Sequence, residues 1–199
     1  MGSCDPDQSE RIKQFWGDRA RATDPDSARA TTYDVFLREH EIRTLRERIT
    51  AISLPPGSTV VDLGCGDGHA TVSLASAFPT IRFVGIDWSE EMLALAEHRL
   101  SAQPGLRNTV SFRVGDMRDL SASLESERFQ AFLTMRSLIN LTTSEQQYDT
   151  ITQIAEHLVP RRLLLLHREL HPGTEQLQPS ACRHGASGDP GALAQPLLR

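Results

Sequence analysis

Cysteine is scarce in this chain: three in 199 residues, at Cys4, Cys65 and Cys182, far apart. That number and spacing exclude a disulfide framework and match no metal-ligand pattern, so free thiols in a reduced compartment and no bound metal are expected. Long apolar runs are missing too, because the longest leucine run, Leu163 to Leu166, is too short to span a bilayer. The opening MGSCDPDQSE has no apolar core of a secretory signal. A cytoplasmic location and no membrane partner are the expectation. There is also no basic stripe: 21 Lys and Arg are scattered among 26 Asp and Glu, for a net charge of −5. Proteins that neutralise many phosphates carry such a stripe, so nucleic acid is not an expected partner.

What is present reads as one soluble domain with a sizeable core, 39% hydrophobic and 24% charged. A polar beginning holds one amphipathic stretch, RIKQFWGDRA, and then a loop, RATDPDSARATT. Ile42, Leu45, Ile49 and Ile52 recur at helical spacing after Asp34, a candidate cap, and PPG at 55–57 stops that helix. Residues 1–50 thus form a helical segment ahead of the main domain.

From there to residue 170, strand and helix patterns alternate. The strands are STVVDL (58–63), IRFVGI (81–86), TVSFRVG (109–115), FQAFLTM (129–135) and RLLLLH (162–167). Between them, HATVSLASAF reads as a helix, and SEEMLALAEHRL as another, with Ser89 as cap and Met92, Leu93, Ala96 and Leu100 on one face. A last helix begins at a capping box of Ser144 and Gln147, buries Tyr148, Ile151, Ile154, Ala155 and Leu158, and ends at Pro160. Such alternation predicts an α/β fold, a doubly wound, mainly parallel Rossmann-like sheet with helices on both faces. From His171 onward, eight of 29 residues are Gly or Pro and only four are Leu, Ile, Val or Phe, so 171–199 reads as an irregular or disordered tail.

The chemistry concentrates in VVDLGCGDGHA, residues 60–70. The first strand ends at Leu63, placing Gly64, Gly66 and Gly68 where the chain turns sharply and can approach a ligand. A strand before, a helix after and an acid closing the next strand strengthen an otherwise weak glycine motif. That acid is Asp87, 23 positions after Gly64, and a carboxylate there can accept from both ribose hydroxyls. Asp62 and Asp67 would repel a pyrophosphate on the turn, since like charges a few ångström apart cost about 1 kcal/mol or more. They suit a nucleoside that is cationic and lacks phosphate, such as S-adenosylmethionine.

VVDLGCGDGHAT, FVGIDWSEEML and FRVGDMRDL, in this order, resemble the first three motifs of the class I S-adenosylmethionine-dependent methyltransferases across roughly residues 31–170. The resemblance implies that Asp62, Gly64, Cys65 and Gly66 hold the methionine end of S-adenosyl-L-methionine. It implies that Asp87 takes the ribose, Trp88 flanks the adenine, Asp116 accepts from the adenine amino group and the Met117 backbone reads the ring edge. TMRSLINL lies where the family places the substrate, which makes Arg136, Ser137 and Asn140 the substrate-side candidates. Plainer readings stand beside these: Asp62 capping the turn's amides, Asp87 or Asp116 as turn residues, Cys65 as a space-filler, and Arg136 and Asn140 pairing with surface groups. Phe15, Trp16 and Tyr33 could close over a cofactor or simply pack.

The fourth-strand motif lacks the Asn/Asp-Pro-Pro-aromatic run of enzymes that methylate nucleobase amines. It resembles small-molecule members acting on sugars or natural products. His167, ending the fifth strand, is the best-placed histidine for a general base, but no motif nominates it and no catalytic residue is assigned. The family usually adds two strands after the fifth, whereas the tail from His171 has no strand pattern and PRRL replaces a glycine-rich turn. A truncation or a frame shift near 172–178 is therefore expected, leaving an open sheet edge through which copies could pair. The alternative to an active enzyme is a homologue that only binds S-adenosylmethionine.

Overall fold

The computed structural model describes residues 6–167, with side chains described from 8 to 160. Helices α1 (Pro6–Arg21) and α2 (Val35–Ile52) precede β1 (Thr59–Leu63), α3 (His69–Ala77), β2 (Arg82–Asp87) and α4 (Glu90–Ser101). Then follow β3 (Val110–Val114), α5 (Leu120–Leu124), β4 (Phe129–Met135), α6 (Ser144–His157) and β5 (Leu158–His167). All four pairings are parallel, in the order β3-β2-β1-β4-β5. Among the described residues β3 and β5 are the outer strands, so the sheet is open. The expected tail, 171–199, lies outside the described residues, as do Cys4 and Cys182.

Strand periodicity divides the core in two. Val60, Phe83, Val110, Ala131 and Leu133 face α2, α3 and α4, meeting Leu45, Ile49, Leu74 and Leu100. Val61, Leu63, Val84, Ile86 and Phe132 face the other way, onto Leu120 and Leu124 of α5 and Ile154 of α6. Each fully buried leucine or phenylalanine contributes about 1.5–3 kcal/mol over an exposed one. Both faces of the sheet are covered, as its near-continuous apolar strands require.

Local chemistry sets most helix ends. Asp34 Oδ1 accepts from Leu37 N at 2.9 Å to start α2. Ser89 Oγ accepts from Met92 N at 3.2 Å to start α4. For α6 the expectation fails by one residue, because the cap is Thr143, whose hydroxyl accepts from Gln146 N at 3.2 Å. The helix is accordingly rotated: Tyr148 and Ala155 are exposed, and Gln147, Thr150, Ile154 and His157 point inward. It seats through polar contacts that apolar periodicity does not reveal. Thr150 Oγ1 donates to Met117 O at 3.1 Å, and His157 Nδ1 donates to Glu127 O at 2.9 Å. Pro160 does not end α6, which stops at His157. It lies in β5, beside the register shift opposite Phe129–Ala131, where a strand tolerates a missing N–H. Among the described residues, no helix is long and apolar enough to cross a membrane.

Candidate active site

Strand order reverses at β1, so a crevice opens at the carboxyl ends of β1 and β4. There the chain leaves Leu63 through Gly64, Gly66 and Gly68, with φ of +75°, +54° and +68°. Space as well as conformation demands glycine. A Cβ on Gly64 would stand 2.2 Å from Ser137 Cβ, and one on Gly66 would stand 2.6 Å from Thr31 Cγ2.

The turn's amides are already committed. Gly64 N and Cys65 N both donate to Ile86 O, at 2.7 and 3.0 Å, and Gly68 N donates to Cys65 O at 3.1 Å. Gly66 N donates to Asp87 Oδ2 at 2.8 Å, and His69 N to Asp67 Oδ1 at 3.3 Å. A phosphate cradle works by aiming free N–H groups at the anion. Here five such donors are satisfied within the protein.

The carboxylates of this region differ in what they face. Asp62 falls on the same side of β1 as Val60, under α3, where it is buried and accepts from Thr71 Oγ1 at 2.5 Å. Burial pushes its carboxyl up to about 7, opposed by the Thr71 hydroxyl and reinforced by the charge of Asp87. Asp67 is also buried and pairs with Arg99 Nη2 at 3.3 Å. Burial raises its pKa, and the neighbouring Arg99 draws it back. Neither lines the crevice, so the expectation that these two charges face the ligand is corrected: both are turned into the protein, toward Thr71 and Arg99. Asp87 does line it. Its oxygens accept from Gly66 N and, at 3.0 Å, from Ser89 N, with lone pairs left for a ligand's hydroxyls. Burial raises its pKa and these amides lower it.

The crevice spans about 720 Å³ counted to its open mouth, solvent included. One wall is Ile86, Trp88, Gly115 and Met117; the other is Met135, Arg136, Ser137, Asn140 and Leu141, with Trp16 and Thr31 across the top. Cys65 and Asp116 are not on the wall. Cys65 is buried against the sheet, and burial raises its thiol well above the ordinary range. Asp116 is held by Arg118, whose Nε lies 3.0 and 2.9 Å from its two oxygens, and that guanidinium stands 5.5 Å from the centre of the Trp88 ring. The adenine contact expected of Asp116 thus meets a carboxylate already occupied by a cation.

On the substrate side, Ser137 Oγ donates to Leu63 O at 2.7 Å and so ties the end of β4 to the end of β1. Asn140 Nδ2 donates to the carbonyls of Arg136 and Ser137, both at 3.2 Å, and its Oδ1 accepts from Trp16 Nε1 at 3.3 Å. Arg136 adopts φ +58° and places Nε 3.4 Å from Glu41 Oε1 of α2. His167 stands opposite Met135 at the same end of the sheet, as its ladder position requires, and its side chain is outside those described.

Trp16 closes the site, whereas Phe15 and Tyr33 are exposed. Thr31 was missed, since nothing marks a threonine in a polar loop. It is held there by arginines: Arg19 donates to the carbonyls of Ala30 and Arg29, Arg38 to that of Ala28, and Arg99 to that of Ser27. Buried Arg38 and Glu41 were missed as well. On a helix scored by apolar spacing, charged residues read as solvent-facing.

A family model described as a methyltransferase domain matches residues 60–161. Trans-aconitate 2-methyltransferase of Variovorax paradoxus is 47% identical over 62 residues, 31% of this chain and 24% of that protein. Magnesium-protoporphyrin O-methyltransferase of Rhodobacter capsulatus is 36% identical over 120 residues, 56% of this chain and 50% of the relative. The chain therefore spans about a quarter to a half of these curated relatives. Among solved structures, magnesium protoporphyrin IX methyltransferase from Synechocystis PCC 6803 with bound SAM superposes with a TM-score of 0.64 at 21% identity, covering 83% of this chain and 77% of that one.

Proposed function

The chain belongs to the methyltransferase-domain family, and on that premise we propose that it binds S-adenosyl-L-methionine in the β1/β4 crevice and methylates a small molecule. The observation that carries this is the pairing of spent turn amides with a wall carboxylate. Asp87 is placed to receive ribose hydroxyls, while Gly64 N, Cys65 N and Gly66 N are unavailable to a diphosphate. Trp88 and Met117 offer apolar surface for a purine. When bound, the cofactor supplies an electrophilic methyl group that the acceptor takes as the carbon–sulfur bond breaks.

The chain's own part is alignment and exclusion of water, which supply most of the acceleration in such a displacement. Ser137 fixes the distance between the two strand ends. Asn140 and Trp16 close the mouth above them. The Variovorax paradoxus and Rhodobacter capsulatus relatives are named for small-molecule acceptors, trans-aconitate and magnesium-protoporphyrin, which favours an acceptor of that size. A sugar or natural-product acceptor is the form suggested by TMRSLINL. Incubating the chain with methyl-tritiated cofactor and a small-molecule extract tests the proposal. Label entering low-molecular-mass material is the expected result, and cofactor binding with no transfer leaves only the binding function.

A further inference from the structure

The acceptor side of the crevice carries one cation among the described wall residues, Arg136. Its backbone sits at φ +58°, a conformation that side-chain-bearing residues avoid, and strain of this kind persists where surrounding contacts impose it. The contacts are visible. Asn140 Nδ2 holds the Arg136 carbonyl at 3.2 Å, and Nε faces Glu41, which is completely buried in α2, at 3.4 Å. A guanidinium has five donors in a rigid fork, so pairing through Nε leaves the two terminal nitrogens for a ligand. The same wall holds no lysine, histidine, cysteine or tyrosine among the described residues. Its one carboxylate among the described residues, Asp87, lies at the end of β2, where it accepts from Gly66 N and Ser89 N and faces the ribose position of the cofactor reading.

Resting on the methyl-transfer reading above, we propose that the acceptor is a carboxylate-bearing small molecule and that Arg136 receives its carboxylate. An alcohol, phenol or ammonium must lose a proton to become a nucleophile, and the described residues of this wall include no lysine, histidine, cysteine or tyrosine to take it. A carboxylate is already ionised at neutral pH. Its oxygen lone pair makes the new oxygen–carbon bond, the carbon–sulfur pair stays on sulfur, and no proton moves. The planar fork of arginine matches a carboxylate in two parallel hydrogen bonds. Glu41 behind it tempers the cation, so that the acceptor, whose charge is lost on ester formation, is not held too firmly as an anion. Met135 and Leu141 beside Arg136 accommodate an apolar portion of the same molecule.

Binding tests this without turnover. The chain is titrated first with S-adenosylhomocysteine and then, saturated with it, with benzoate, succinate and tricarballylate and with their neutral amides. At least one carboxylate binds tenfold or more tighter than its amide. Arg136→Asn, chosen because asparagine tolerates positive φ, abolishes that preference and leaves affinity for S-adenosylhomocysteine within threefold. Since this variant removes the cation 3.4 Å from Glu41, Glu41→Gln/Arg136→Asn is measured beside it and behaves alike. If S-adenosylhomocysteine binds but the carboxylates do no better than amides, or the preference survives in both variants, the carboxylate proposal is overturned alone. If S-adenosylhomocysteine does not bind at all, the methyl-transfer reading falls, and this one with it.

Discussion

Replacing Asp62 by asparagine isolates the cost of a buried charge at the centre of the sheet. Burial raises the folded-state pKa from 3.8 to about 7. The native protein therefore holds a proton that the unfolded chain, titrating near 3.9, has released. Because the native state binds more protons, stability falls as pH rises between about 4 and 7, and above that the full penalty remains. A shift of about 3 units corresponds to about 4 kcal/mol. Asparagine keeps an acceptor for the Thr71 hydroxyl, which lies 2.5 Å from Asp62, and carries no charge at any pH. Asp62→Asn should thus gain on the wild type by about 2–4 kcal/mol between pH 4 and pH 8, read from urea unfolding at matched ionic strength. The difference between the two proteins is the quantity to follow, since Asp67 and Asp87 are raised as well and tilt both curves. A difference that does not change across that range would refute the reasoning.

Two further outcomes follow from the turn and its cover. Gly64→Ala adds a left-handed backbone penalty of about 1 kcal/mol to a contact that displaces Ser137 and its bond to Leu63. A loss of about 2–4 kcal/mol in urea unfolding is expected, and a loss below about 0.5 kcal/mol would show that the turn relaxes freely. The protein has two tryptophans, Trp16 and Trp88, and both line the crevice. Cofactor addition should change the indole emission of the wild type and of Trp16→Phe alike, whereas silence in both would place the ligand elsewhere.

The order of the strands was legible because each is a short apolar run, and α2 and α4 repeat their apolar residues every third or fourth position, whereas the five-residue α5 is too short to show a period. FQAFLTM is a strand from its first residue to its last, and Asp34 and Ser89 cap the helices they precede. Helix α6 was misjudged because its inner face is polar: Gln147, Thr150 and His157 are buried by bonding to backbone, which no hydropathy pattern reports. At the site, the glycines and Asp87 could be read from their spacing. The directions of Asp62 and Asp67 could not. They depend on the pleat of β1 and on Arg99, 32 residues downstream of Asp67. Glu41 behind Arg136 is equally long-range, joining α2 to the end of β4.

Titration calorimetry of the purified chain against S-adenosylmethionine and, separately, against NAD at the same concentrations tests the central claim most directly. A crevice with an open carboxylate at Asp87 and five turn amides already bonded within the protein should give saturable one-to-one binding of the sulfonium nucleoside and none of the dinucleotide. Tight binding of NAD with no heat from S-adenosylmethionine would contradict the account.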